Sequence, residues 1–227
     1  MDGFVSWLRQ LQFDGVWQTA LLVAASLLCI TFHETCHGLA AYRLGDPTAK
    51  RAGRLTLNPL KHLDPIGTIC MIFFHFGWAK PVPINSRYFK KPRRDMALTA
   101  AAGPIMNFIL ALFGMLVCRI LTKIFVAFPA QSDFVYYIQY AALTLFSYFH
   151  MLNLSLGVFH LIPIPPLDGS RIFYIFLPPK WYFGVMKYEK YIQLALLVLL
   201  WTGLLSRPLS AAVSWISGGM QWLVSWI

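Results

Sequence analysis

Charged side chains are scarce in this sequence. Only 12% of the 227 residues are charged, whereas 58% are hydrophobic, and the mean hydropathy is +0.59. A soluble domain carries about 25% charged residues, so side chains of this composition cannot all be accommodated in one soluble core. The composition excludes an ordinary soluble domain and indicates that the lipid bilayer is the solvent.

Acidic residues are the scarcer of the two charged classes. Asp and Glu number 9 against 19 Lys and Arg, which gives a formal charge of +10. Most of the excess falls in two loops, residues 43–61 and 80–94. This clustering favours loops held against an anionic inner leaflet over a nucleic-acid groove, and the positive-inside rule places both loops in the cytoplasm. We expect an integral protein of a bacterial-type plasma membrane with no nucleic-acid partner.

Paired cysteines and a secretion signal are also missing. The four cysteines, Cys29, Cys36, Cys70 and Cys118, have no paired spacing, which argues against a disulfide framework and a cysteine-based zinc site. The N-terminus has no basic region leading into an apolar core and a cleavage site, so no cleavable signal peptide is expected. Residues 1–15 instead favour an amphipathic segment on the membrane surface.

The long apolar runs predict an all-α polytopic membrane protein with four to five transmembrane helices. The predicted spans cover residues 16–42, 96–118, 134–159 and 191–205, and residues 208–227 form either a fifth span or an interfacial helix. Residues 66–78 are uncharged but short, which predicts a re-entrant hairpin or short strands between the first two spans. The predicted domains are an N-terminal segment (1–15), a core (16–206) and a C-terminal apolar helix (207–227).

One motif in the first predicted span carries chemistry. His33 and His37 are separated by one helical turn, which places both imidazoles on one face about 6 Å apart, within reach of one metal ion. Glu34 can take a proton from a water whose pKa zinc lowers toward about 7. A chance pattern is a weak alternative, because ionisable groups in a span cost about 2.5–3.5 kcal/mol each. The motif predicts a zinc site, about 15 Å from the cytoplasmic end of the helix at Arg43.

A catalytic zinc normally has three protein ligands and one open position. No third histidine continues the motif after His37, and Asp168 in Pro-Ile-Pro-Pro-Leu-Asp-Gly is the best candidate for the third ligand. The alternative is that Asp168 caps a helix beginning near Ser170. The proximity of this segment to the bilayer and the need for a third ligand favour metal binding.

Several ordered blocks resemble the site-2 protease family of intramembrane zinc peptidases, in a compact form without an added soluble domain. They are HETCHGLAAYRLGDPTAKRAGRLTLNPLKHLDPIGT, WAKPVPIN, AAGPIMN and IPIPPLDG, and together they extend over about residues 30–177. The resemblance implies that His33, His37 and Asp168 hold Zn2+ and that Glu34 is the catalytic base. It also implies that the substrate is a membrane protein, cut within or next to a transmembrane segment.

One position departs from the family pattern. His160 stands where the family commonly has an asparagine before the proline-rich run. We expect His160 near the substrate backbone or the oxyanion rather than on the metal. Asn107 is a second candidate for such a contact, although it most simply bonds across a helix interface. His150 stands singly among aromatic residues and is predicted to be a hydrogen-bonded packing residue.

Two other functions remain open at this point. A zinc-binding but non-proteolytic regulatory membrane protein is compatible with the change at His160. A metal transporter is less favoured, because transporters commonly repeat their ligand-bearing helices and this motif occurs once. The sequence identifies neither the substrate nor the oligomeric state.

Overall fold

A computed structural model of the chain describes residues 16–65, 67, 80–178, 184 and 187–226. In this part of the chain the regular elements are all helical. The α-helices are α1 (Val16–Arg43), α2 (Thr48–Arg51), α3 (Pro92–Ala127), α4 (Asp133–His160), α5 (Asp168–Phe173), α6 (Glu189–Trp201) and α7 (Ser206–Leu223). The predicted segment 1–15 and the predicted hairpin 66–78, apart from residue 67, lie outside the described residues.

Helices α1, α3 and α4 are each long and apolar enough to cross a membrane, which confirms the all-helical membrane architecture in outline. Helices α6 and α7 pass the same criterion only as a pair, and their axes meet at an angle of 81°. The fourth predicted span is therefore interrupted. Helix α6 ends at Trp201 after 13 residues. Gly203 then adopts a left-handed backbone with φ of 73°, a conformation that ends helices.

Helix α3 is longer than the span predicted within it. It covers 36 residues and continues past Arg119 and Lys123, where the predicted span ended. Charged residues with long side chains end an apolar run but are good helix formers, so the helix need not stop with the span. Its start follows the sequence closely, because Pro92 at the first position and Asp95 in the first turn both favour a helix N-terminus.

Two tight turns follow α1 and α2, and both have the same geometry. The amide of Asp46 donates to the carbonyl of Ala41, and that of Arg54 donates to Ala49. The glycine before each has a left-handed backbone, with φ of 107° at residue 45 and 65° at residue 53. This is the Schellman arrangement, in which a glycine just past the helix makes the reversal without steric cost. It turns Asp46 (0% exposed) and Arg54 (7% exposed) into the protein interior.

The described chain forms two compact units. Among the described residues, one unit comprises 16–26, 107–159 and 190–226, and the other comprises 27–65, 67, 80–106, 160–178, 184 and 187–189. Within the first unit, the buried amide of Asn107 donates to Asn153 at 2.9 Å. The second unit contains the residues of the predicted metal site, His33, Glu34, His37 and Asp168, together with His160.

Candidate metal centre

Helix α1 presents two buried histidines toward each other. His33 is 2% exposed and His37 is 6% exposed, and their Nε2 atoms lie 2.9 Å apart. The i, i+4 spacing on a helix accounts for this closeness, because each turn returns a side chain to the same face. Two imidazole nitrogens therefore point at one place beside a helix that is long and apolar enough to span a membrane.

The carboxylate of Asp168 reaches the same place from α5. Its Oδ2 atom is 3.2 Å from Nε2 of His33 and 3.3 Å from Nε2 of His37. Gly169 makes this approach possible, since a Cβ there would lie 2.5 Å from the carbonyl oxygen of Ile162. Helix α5 begins at Asp168 itself and its N-cap residue is Leu167, so Asp168 does not occupy the N-cap position. The described polar contacts of the carboxylate are with His33, His37 and His160.

His160, at the end of α4, contacts the same carboxylate. Its Nδ1 atom lies 2.7 Å from Oδ2 of Asp168, and its ring centroid is 4.4 Å from that of His33. Burial alone would raise the pKa of Asp168, but the hydrogen bonds with His160, His33 and His37 hold it well below its usual range. The carboxylate is therefore charged near neutral pH.

The orientation of His37 is fixed from its other side. Its Nδ1 atom lies 2.8 Å from the carbonyl oxygen of Thr99 on α3. A carbonyl can only accept, so Nδ1–H is the donor, and in the neutral ring Nε2 is left unprotonated as a possible ligand. Gly103, one turn along α3, makes room for the rings. A Cβ at Gly103 would lie 2.7 Å from Cε1 of His33 and closer still to His37.

The donor set fits zinc. His33, His37 and Asp168 each offer one ligand atom, and these atoms lie within 4.8 Å of one another. Two imidazoles and one carboxylate are a usual protein ligand set for a catalytic zinc with one open position. The separations of 2.9, 3.2 and 3.3 Å are those expected of atoms placed about 2 Å from one ion. The charge of one carboxylate also offsets part of the charge of a buried dication.

Glu34 is held by the backbone of a distant segment. Its Oε2 atom accepts a hydrogen bond of 2.8 Å from the amide of Val82. Val82 is 6% exposed and lies between two prolines in the stretch Lys-Pro-Val-Pro. The carboxylate of Glu34 is thus tied to residues that no motif pattern pairs with it.

The structure gives Asn107 a packing contact. Its Nδ2 atom donates to Asn153, whose own Nδ2 donates to the carbonyl of Phe149 at 2.8 Å. A role in substrate binding stays a prediction.

The sequence did not reveal the contributions of Thr99 and Val82, because both act through backbone atoms and leave no side-chain signal. Gly103 lies in the block AAGPIMN, but the sequence does not identify the histidine rings that this glycine accommodates.

Comparisons with known proteins identify a family of zinc metalloproteases. The model of peptidase family M50 matches residues 21–204. "Putative zinc metalloprotease YwhC" of Bacillus subtilis (strain 168) is 41% identical over 198 residues, covering 86% of this chain and 84% of that protein. "Putative zinc metalloprotease Rip2" of Mycolicibacterium smegmatis is 29% identical over 237 residues, covering 98% of this chain and 85% of the relative. No solved structure matches the chain.

The family match extends over most of the sequence and includes most of α1, Val82 and Asp168. The relatives carry the same zinc metalloprotease designation, and the match covers most of their length. Zinc dependence is therefore supported by the family match as well as by the His33–His37 motif, and the apolar helices fit a membrane-embedded family. The chain belongs to peptidase family M50, the site-2 protease family of membrane-embedded zinc metalloproteases.

Proposed function

We propose that this protein is an intramembrane zinc endopeptidase that hydrolyses a peptide bond within or next to the transmembrane segment of a protein substrate. The observation that carries the proposal is the meeting of His33, His37 and Asp168 at one place, with Glu34 next to His33 on a helix that can span a membrane. Buried ionisable groups are costly in a span and by default mark function.

His33, His37 and Asp168 hold the metal in this proposal. A zinc ion held there would supply the acidity of a bound water molecule and the polarisation of the peptide carbonyl. Glu34 takes the proton of the attacking water and delivers it to the leaving amine, because a carboxylate one residue from the first histidine reaches the same place. Thr99 keeps His37 in the tautomer that leaves Nε2 as a ligand.

His160 is proposed to orient the carboxylate of Asp168, to which it is hydrogen-bonded. Its ring also lies beside that of His33, where it can contact the substrate backbone or the oxyanion. Asn107 is kept as a weaker candidate for a substrate contact, because its amide is engaged by Asn153. A substrate helix pairs its backbone groups internally, so it must unwind locally before the scissile carbonyl is accessible.

The decisive experiment changes Glu34 alone. Glu34→Gln keeps the shape of the side chain and its contact with Val82 but cannot accept the proton of water. Zinc analysis of the purified protein should show unchanged stoichiometry. Mass spectrometry of membrane proteins should show cleavage products in cells with the wild-type chain and none with the variant. Equal cleavage by both proteins would contradict the mechanism, and an absence of products from the wild type would favour the non-proteolytic alternative.

We further propose four spans, with α6 and α7 forming a broken fourth crossing and residues 66–78 a re-entrant hairpin. The basic loops on either side of the hairpin place the active site toward the cytoplasmic face of a bacterial-type plasma membrane. In a background without the native cysteines, Lys50→Cys and Lys90→Cys should be shielded from an impermeant thiol reagent outside intact cells. Ser132→Cys, between α3 and α4, is the matched exposed control and should react. The opposite labelling pattern would reverse the orientation.

A further inference from the structure

We propose that Arg54 is a positioning residue for Glu34 and acts through the backbone of residues 80–82. The inference rests on the proposed function in one respect, namely that Glu34 is the proton acceptor. The contacts that carry it lie within one unit, residues 27–106 and 160–189, and are independent of the metal.

The guanidinium of Arg54 binds carbonyl groups rather than acids. Its Nη2 atom donates to the carbonyl oxygen of Lys80 at 2.5 Å and lies 3.4 Å from that of Pro81. Among the ion pairs of the described residues, none includes Arg54. Its Nε atom is buried without a hydrogen-bond partner among the described residues. A buried cation that has no carboxylate partner in this part of the chain is costly, so stability alone is a poor explanation for an arginine here.

The next amide along the chain is the one that holds Glu34. Val82 follows Pro81 directly, and its N–H donates to Oε2 of Glu34. Pro83 restricts Val82 to an extended backbone, so a shift of the carbonyls at residues 80 and 81 displaces this amide as well. Arg54 therefore controls Glu34 through one short, stiff stretch of backbone.

The same stretch is fixed at two other points. The amide of Lys80 donates to the carbonyl of His62 at 2.9 Å, and the amide of Asn85 donates to Oδ2 of Asp46 at 2.6 Å. Asp46 and Arg54 occupy equivalent places, each directly after the glycine that ends a helix. The two turns thus place the carboxylate of Asp46 at one end of residues 80–85 and the guanidinium of Arg54 at the other end.

Close packing against α1 leaves little room for this stretch to move. Gly38 lies one turn beyond Glu34, and a Cβ there would be 2.6 Å from Cδ2 of Leu55 and 3.1 Å from Cγ1 of Val82. The absence of a side chain at residue 38 lets Val82 approach the helix. Glu34 is held at one oxygen by this amide, which fixes the direction of its carboxylate. A misplacement of about 1 Å in such a group lowers the rate about a hundredfold.

The test measures two properties of purified full-length protein in detergent, deuterium uptake and turnover. Arg54→Met removes the donors at similar length, whereas Arg51→Met makes the same charge change at an exposed neighbouring position. Arg54→Met should raise deuterium uptake in a peptide covering residues 80–85 and leave uptake in α4 unchanged. Arg51→Met should change neither. Arg54→Lys, with one ammonium in place of the guanidinium fork, should fall between them.

Turnover is measured on a labelled single-span peptide chosen from the sequences that the wild type cuts in membrane proteomics. We expect Arg54→Met to lower kcat about 10- to 100-fold with KM within about twofold and zinc stoichiometry unchanged. Val82→Pro removes the amide donor together with the valine side chain and should lower kcat at least as much, whereas Val82→Ala keeps the donor and should lose less, which separates the amide from the side chain. Because both changes act at one contact, the double variant should be no slower than Val82→Pro alone.

The outcomes separate this inference from the proposed function. Unchanged uptake in residues 80–85 of Arg54→Met would overturn the positioning role, whatever the activity. Additive losses in the double variant, or zinc lost together with raised uptake throughout the protein, would assign Arg54 a general structural role instead. If Arg54→Met does not fold, Arg54→Lys and the Val82 pair test the same contact. A wild type that cuts no peptide contradicts the proposed function, and the uptake measurement still decides the contact.

Discussion

Two of the regions that hold buried histidines differ in the surroundings of the imidazole rings. His33 and His37 on α1 face each other and a carboxylate, whereas His150 on α4 stands without a second imidazole or acid among its described contacts. Its Nδ1 atom lies 2.8 Å from the carbonyl of Ala111. Gly114 allows this packing, because a Cβ there would lie 3.1 Å from the backbone nitrogen of His150. The sequence-based prediction that His150 is a hydrogen-bonded packing residue is confirmed.

The comparison shows that burial does not make a histidine a ligand. His150 is 8% exposed, close to the 6% of His37. Both rings donate from Nδ1 to a backbone carbonyl, which settles the tautomer in each case. His37 differs because two further potential metal-ligand atoms, Nε2 of His33 and Oδ2 of Asp168, lie close to its Nε2. A metal centre is therefore recognised by several donors at one place, not by the environment of a single ring.

The sharpest test of this contrast removes one ring from each region. His37→Ala should abolish stoichiometric zinc binding and cleavage, because two donors remain where three protein ligands are needed. His150→Ala should keep zinc and lose only stability, by about 1–3 kcal/mol, because it removes a hydrogen bond and buried packing. Elemental analysis and thermal unfolding of the purified variants check both. Zinc lost from the His150 variant would contradict the contrast.

A second pair of changes separates ligand from supporting contact around Asp168. Asp168→Ala should lower zinc stoichiometry severely. His160→Ala should keep the metal and lower turnover or zinc affinity about 10- to 100-fold, the usual effect of losing a partner of a ligand. His160→Asn, which retains a donor, should be well tolerated. Titration with a competing zinc chelator ranks the zinc affinities of the three variants. Loss of zinc from the His160 variants together with its retention in Asp168→Ala would reverse the assignment.

A methyl group at Gly103 should have the next largest effect. Gly103→Ala places a Cβ against the rings of His33 and His37, so zinc affinity should fall although no ligand is changed. Gly218→Ala on α7 is the matched control, since nothing lies within 4 Å of a Cβ there. Chelator titration of both variants measures the difference. Equal zinc affinities of the two variants would show that the helices shift to accommodate the methyl group without displacing the histidine rings.

The smallest effect is expected at Asn107. Asn107→Ala removes one hydrogen bond to Asn153, and bonds of this kind in membrane proteins contribute about 1 kcal/mol. Zinc binding should be unchanged and cleavage nearly so. Unfolding in mixed micelles provides the measurement. A large loss of cleavage with unchanged stability would instead establish Asn107 as a substrate contact.

Much of the metal site was accessible from sequence because it depends on one helix. The i, i+4 spacing of His33 and His37 gives their proximity without knowledge of any other element. Asp168 was chosen by ligand chemistry and by family resemblance, and its distance from the histidines depended on how α5 packs. His160 was expected away from the metal, and the structure places it on the carboxylate of Asp168. Helix ends were less accurately predicted, as α3 shows, because charges end an apolar run before they end a helix.

The sequence by itself determined the solvent, the helical class and the chemistry of the ligands. Composition, apolar run length and residue type carry that information locally, and each follows from the cost of polar groups in lipid. Only the tertiary structure decided which backbone groups support the site. Every residue has a backbone carbonyl like that of Thr99, and every residue except proline has an amide N–H like that of Val82. No sequence pattern therefore marks these two groups. Their partners, His37 and Glu34, are assigned by packing over distances of many residues.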